Sequence, residues 1–406
     1  VQINTHKLSP EQSLLLAASS PAANDLLTSQ LLAYADTVDW TVLVQSALDH
    51  GVTGLLCHNL IGSASDCVPG DILEASRTHL EQQQAGNEAL FVQLVSILEH
   101  LSNAGIPAVP FKGPTLALNA YGALNLRSFR DLDFLILQAQ TQPCLDQLKK
   151  LGYTHDWELT PRQWKSFLQY AGEEILFGPG LPIEPHWHFA PRTVAYDLDY
   201  SAIWSRVKPV TISGKELLSL TPEDELMAVC LHGSKERWTK LKWVADVAAY
   251  VHSHPDLDWS ILRQRAQAQG VARATLLGLG LAHRLLSASL PQHAQRWLNN
   301  DREAQRLTDQ ITTRYFEGDE AERSIYDFNH LHWRMRERAR DRWRYLLRTL
   351  LQPRVQHFNS IAIPDALFVL YIPYKLLHDY LALPLWQWLK ALKHRQSGTE
   401  EIDATR

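Results

Sequence analysis

Asp131 and Asp133 sit one residue apart, directly before the apolar run Phe134-Leu135-Ile136-Leu137. In an extended strand, residues two apart face the same way, so both carboxylates can be presented to one point. Two anions there repel unless a cation lies between them. A hard divalent ion such as Mg2+ (or Mn2+) meets that need, because it takes oxygen ligands from one or two carboxylates plus substrate phosphates. The apolar run anchors the pair rigidly, as a metal site requires. Upstream, Lys112-Gly113-Pro114-Thr115 joins a strand-like run to a helix-like one. Free N–H groups at such a helix start favour an anion. Gly113 would let a phosphate approach the backbone, and Lys112 adds a positive charge. Arg127 or Arg130, just before the aspartates, can hold a triphosphate tail, and spacing alone does not choose between them. A third carboxylate on a neighbouring strand would complete a two-metal clamp, with the ions about 3.5–4 Å apart, that activates an attacking oxygen and neutralises leaving pyrophosphate. Glu184, in PIEPHWHF, is the leading candidate; Glu173, Glu174, Asp197 and Asp199 compete with it.

The elements that must position these residues follow from periodicity. LLTSQLLAYA, DWTVLVQSALDHG and DILEASRTHLEQQQAGNEALFVQLVSILEHL space apolar residues by three and four, which predicts helices from about Pro10 to Ser102. After Gly105 the pattern changes. IPAVPF and LDFLIL read as strands, GPTLALNAY and TQPCLDQLKKLG as helices, and EEILFG and PIEPHWHF as two further strands. Residues 105–220 thus form a small α/β core. From Thr221 helices return. TPEDELMAVCLHG opens with a threonine cap, a first-turn proline and acidic residues at the positive end of the helix dipole. The expected division is an N-terminal helical region (1–104), the core (105–220), a helical domain (221–330), an arginine-rich and apolar helical segment (331–396) and a disordered tail (397–406). The fold class is α+β: a small mixed sheet flanked by N-terminal and large C-terminal helical regions.

Taken together, these motifs resemble the nucleotidyltransferase superfamily of the DNA polymerase β type, and within it a bacterial group of nucleotidyltransferase family proteins. The resemblance rests on Lys112-Gly113, Arg127, Asp131-Leu132-Asp133, Glu184-Pro185-His186-Trp187, Leu231-His232 and the stretch from Leu241 to Asp246. Better-known members carry Gly-Ser where this chain has Lys-Gly. The resemblance implies a Mg2+-dependent enzyme that transfers a nucleoside monophosphate from an NTP to an acceptor. It prefers Arg127 over Arg130 and brings in His232, Lys242 and Asp246 from a helical unit closing over the nucleotide. Lys242 or His232 would face phosphates, Trp243 would pack, and Asp246 would orient one of them or deprotonate the acceptor. The plain alternative for these helical residues is packing plus an ion pair.

His186 and His188 share a face with Glu184. They could ligate zinc or iron in a metal hydrolase, His186 could serve as a base on the acceptor, or the pair could be structural. A third class of function is a non-catalytic nucleotide-binding or scaffold protein with the same fold. Composition narrows the field. The 406 residues are 45% hydrophobic with a net charge of −5, so no global basic surface exists to bind nucleic acid. That argues against a processive polymerase, and a small molecule, a sugar or a protein side chain all remain open as acceptors. Cys57, Cys67, Cys144 and Cys230 lack CxxC spacing and read as reduced thiols of a cytoplasmic protein. The first residues contain no signal-peptide apolar core. Arg334, Arg338 and Arg342 would form one basic stripe on a continuous helix. Beside it, the apolar stretch 364–393 would pack on the body, meet a partner or rest on a membrane surface.

Overall fold

The computed structural model describes residues 8–21, 24–63, 65–192, 196–315 and 325–384. They form an α+β fold with a small mixed sheet between helical regions. The chain separates into two compact units. Of the described residues, those up to 155 together with those in 172–342 make the larger; 156–171 with 343–384 make the smaller. The boundaries expected at 104, 220 and 330 all fall inside the larger unit.

Helix Trp40–His50 starts where Asp39 accepts the N–H groups of Thr41 and Val42 at 2.9 and 3.1 Å, and it ends at Gly51. Helix Thr53–Ser63 follows, then the 34-residue helix Gly70–Asn103. The long helix buries Leu94, Val95, Leu98 and Leu101 and turns Gln83 and Asn87 toward the loop before the aspartates. Strand β1 (Ala108–Pro110) runs antiparallel to β2 (Leu132–Ile136), and β3 (Ile183–His186) runs parallel to β2 on its other side. Every residue of β2 is buried, which explains its unbroken apolar run around Asp133. EEILFG does not extend the sheet as a strand. It meets β3 only through isolated bridges at Glu173–His186 and Leu176–Ile183, because Pro185 lies between them and has no N–H to give.

A hairpin of β4 (Lys208–Ile212) and β5 (Lys215–Ser219), which the sequence reading passed over, follows the core. Its two-residue turn, Ser213-Gly214, has φ of 49° and 76°, the primed geometry that matches strand twist. Helix Pro222–Lys235 then begins as its cap dictates, with the Thr221 side chain accepting from Asp224 N–H. It packs with Leu241–Ser253 and Ala272–Leu286 around Leu226, Val244, Leu277 and the fully buried Trp238. The arginine run is not one helix. Ile325–Met335 ends and Ala339–Leu351 starts after a break. At that break Arg336 is buried, with its guanidinium over Tyr196, and Arg338 turns to the carbonyl of Ala268 at 2.8 Å. Arg334 pairs with Glu303 at 2.5 Å. The single stripe requires a helical rise through 336–338 that these contacts replace.

In the smaller unit, helix Pro161–Tyr170 starts at a Thr160–Gln163 capping box. Tyr371, fully buried, receives Gln163 Nε2 at 3.0 Å and donates to the carbonyl of Ile361. Asp379 accepts from Lys375, His357 Nε2 and His378 Nδ1 at 2.5, 3.0 and 2.8 Å. His357 Nδ1 accepts the N–H of Arg354. Its proton is therefore on Nε2 and spent on Asp379, so this cluster is internally satisfied. Among the described residues no helix is long and apolar enough to cross a membrane. Residues 385–393 of the apolar stretch and the tail 397–406 lie outside the described residues. All four cysteines are free.

Candidate active site

The parallel register sets Asp133 directly opposite Glu184, on one face of neighbouring strands. Like charges so placed repel, and two cationic groups relieve them. Lys112 Nζ contacts Asp133 Oδ1. His186 Nε2 lies 2.9 Å from the same oxygen and 3.5 Å from Glu184 Oε2. Lys112, 7% exposed, reaches this position from a backbone with φ of 71°, a conformation that costs a side-chain-bearing residue about 1–3 kcal/mol. Gly113 follows at φ 47°, which only glycine adopts readily. The tight turn thus drives the Lys112 ammonium down onto the carboxylate. Phe111 floors the site, with the His186 ring edge-on at 4.9 Å.

The electrostatics follow from this crowding. Burial pushes Asp133 up, but Lys112 and the hydrogen bond from His186 overrule it and hold the carboxyl well below the usual range. Burial works against the Lys112 charge, yet Asp133, Glu184 and Glu173 raise it to about 12. Burial and Lys112 also work against a charged His186. Hydrogen bonds to Asp133 and Glu184, with the charge of Glu173, lift it to about 9. Asp131 lies half-buried just before β2, and burial with the charges of Asp133 and Glu184 pushes it up to about 6.

Each sequence candidate has a definite place. Asp133, Glu184 and His186 offer ligand atoms that all lie within 4.8 Å of one another; Asp131 is not in that group. His188 is not in it either, and its ring packs on Tyr200 at 4.8 Å. Arg127 and Asp246 are spent on each other. The guanidinium donates from Nε and Nη2 at 2.8 and 3.0 Å, and Tyr121 adds a third bond to Asp246 at 2.8 Å. This pair ties the segment entering Asp131 to helix Leu241–Ser253. Asn87 fixes the same segment by donating to the carbonyls of Leu124 and Arg127 at 2.6 and 3.1 Å. Lys242 is partly buried near Gly51, and burial and Arg127 lower it while Asp246 and Asp131 oppose. Burial, Lys112 and Lys235 hold His232 well below its ordinary value. It is therefore neutral, with its ring 6.1 Å from Trp243 and no protein partner at Nδ1. Arg130 is exposed.

Two groups escaped the sequence reading in this role. Glu173 Oε2 stands 3.2 Å from His186 Nδ1, off the hydrogen-bond direction that the His188 carbonyl takes at 3.2 Å. Lys235 Nζ holds Glu173 Oε1 at 2.5 Å. Glu173 was visible only as one competing acid, and Lys235 only as a residue three after His232, hence on the same helix face.

The profile of the family described as "Uncharacterised nucleotidyltransferase" matches residues 36–287, more than half of the chain, and the chain belongs to that family. No curated protein sequence matches it. Among the solved structures similar to it in part are two nucleotidyltransferase-related ones. The solution structure of the antibiotic-resistance factor ANT(2'')-Ia is 13% identical, with a TM-score of 0.32 over 44% of this chain and 91% of that one. The crystal structure of an antigenic nucleotidyltransferase-like protein from Paracoccidioides brasiliensis is 16% identical, with a TM-score of 0.29 over 50% of this chain and 94% of that one.

Proposed function

We propose that the chain binds an NTP with a divalent cation and transfers the nucleoside monophosphate to an acceptor hydroxyl. The acceptor hydroxyl gives its proton to solvent as its oxygen attacks the α-phosphorus, the bond from that phosphorus to the α–β bridging oxygen breaks, and pyrophosphate leaves with the electron pair. The observation that carries this reading is the register of Asp133 against Glu184, with Lys112 driven onto the pair by a strained turn. The donor set fits a divalent ion. It offers two carboxylates close together with a third, Asp131, close enough to feel both charges. Asp131, Asp133 and Glu184 would hold the ion, which when bound would neutralise charge on the triphosphate and the departing pyrophosphate.

The remaining work falls to the chain's own residues. Lys112 and the Gly113 backbone receive the phosphate oxygens, and Lys242 adds charge from the side of Asp131. The Arg127–Asp246–Tyr121 set fixes the approach of the Asp131 segment. Burial, Lys112 and Lys235 disfavour a charge on His232, so its unpartnered Nδ1 would meet the substrate through a neutral hydrogen bond and not as a cation. Catalysis by such a site is mainly orientation and charge neutralisation. The test is incubation of the full chain with each α-labelled NTP, Mg2+ or Mn2+, and a lysate of the source cells. Label should move to an acceptor with wild type and not with Asp133→Asn. Equal transfer by the variant would overturn the mechanism. NTP binding without transfer to any acceptor would leave a nucleotide-binding protein instead.

A further inference from the structure

We infer that His186 is a nitrogen ligand of this cation, and that the site therefore selects a first-row transition ion such as Mn2+ over Mg2+. The inference rests on the reading that Asp133 and Glu184 hold a divalent ion, and it goes beyond that reading in donor type and metal choice. His186 is completely buried and wedged edge-on against Phe111, so its ring cannot swing away. Nδ1 faces only acceptors, the carbonyl of His188 and Glu173 Oε2, each at 3.2 Å, and keeps its hydrogen. Nε2 also faces acceptors, but these are the two carboxylates that would hold the ion, at 2.9 and 3.5 Å, so Nε2 is the nitrogen placed to give its lone pair to an ion between them. With an ion bound there, Nε2 would give up its hydrogen to solvent and offer its lone pair. Lys235 anchors Glu173 from behind at 2.5 Å. An imidazole ligand whose other nitrogen is held by a carbonyl or carboxylate is how proteins aim histidine at metals. Asp131 stands outside the close cluster, so it would join as a more distant carboxylate ligand, and the compact donors are two oxygens and one nitrogen. Imidazole suits the transition ions, whereas Mg2+ favours oxygen alone.

The experiment uses the full chain, stripped with chelator and loaded with Mn2+ alone, read by electron spin-echo modulation and by calorimetric titration with Mn2+ and with Mg2+. Wild type should show one directly bound nitrogen whose modulation changes on 15N-histidine labelling, a readout that needs no variant. Its Kd for Mn2+ should be at least about ten-fold below that for Mg2+. His186→Gln should remove the nitrogen signal and collapse the Mn2+ preference. Glu173→Gln should keep the nitrogen but weaken Mn2+ binding by about 10–100-fold. Mn2+ bound in an Asp133-dependent way without nitrogen coupling, or with coupling unchanged in His186→Gln, overturns the inference and leaves the proposed function standing. No Mn2+ binding by wild type, even with NTP added, removes both.

Discussion

Replacing Asp246 with alanine strands a guanidinium in the interior. Arg127 and Asp246 are 5% and 2% exposed, so water cannot take over the lost contacts. Truncation removes two bonds to the guanidinium and one from Tyr121. Bonds to charged groups contribute about 1.5–3 kcal/mol each, and breaking a buried ion pair from one side costs about 3–5 kcal/mol. We expect Asp246→Ala to destabilise the larger unit by about 4 kcal/mol and Arg127→Met by a similar amount. The double variant Arg127→Met/Asp246→Leu should lose much less than the sum, because neither charge is then left alone, with a coupling of at least about 2 kcal/mol. Urea unfolding of the full chain, followed by tryptophan fluorescence and circular dichroism, gives all four corners of the cycle. Singles within about 1 kcal/mol of wild type, or a double variant equal to the sum, would refute the claim that this pair holds the Asp131 segment in place.

Three further outcomes follow from other parts of the larger unit. Glu225 is buried, and desolvation pushes its carboxyl to about 7 against the bonds from Tyr250 and Asn119. Between about pH 4.5 and 7 the folded chain therefore holds more protons than the unfolded one, and stability falls as pH rises. Relative to wild type, Glu225→Gln should gain up to about 3 kcal/mol at pH 8 and almost nothing at pH 4.5; a constant difference across unfolding curves at the two pH values would contradict the buried, protonated carboxyl. Gly233→Ala puts a methyl into the Trp238 ring. It should destabilise by about 1–3 kcal/mol, and an unchanged thermal midpoint would show that the indole can move aside. Lys112→Met removes the ammonium that the turn delivers to the acids. NTP affinity should fall by about ten-fold or more, as loss of one charge-assisted bond implies; equal affinity in a fluorescent-nucleotide titration would place the phosphates elsewhere.

Local pattern carried the sequence reading a long way. The alternating carboxylates of Asp131 and Asp133 before an apolar run, the Lys-Gly-Pro turn, the Thr221 cap and the three-and-four spacing of the helices depend on neighbours in the chain, and the structure forms these elements. The hairpin at 208–219 was missed: Val210, Ile212 and Leu217 flank Ser213-Gly214, but its strands are short and mostly exposed, so the apolar signal was weak. The arginine stripe failed for the opposite reason. Spacing of four assumes one helix, and the break at 336–338 is set by contacts to Tyr196 and Ala268, which lie far off in sequence.

The site itself divides along the same line. Residue types alone supplied the acids, the lysine and the glycine, because their chemistry is intrinsic to the side chains. Which acid faces which was decided by strand register, which sets Glu184 beside Asp133 across 51 residues of chain. Only the tertiary structure joined Arg127 to Asp246, kept His232 neutral and brought Glu173 and Lys235 behind His186. Such pairings depend on burial and on distances between remote segments. Those quantities arise when strands and helices pack, and no window of sequence contains them.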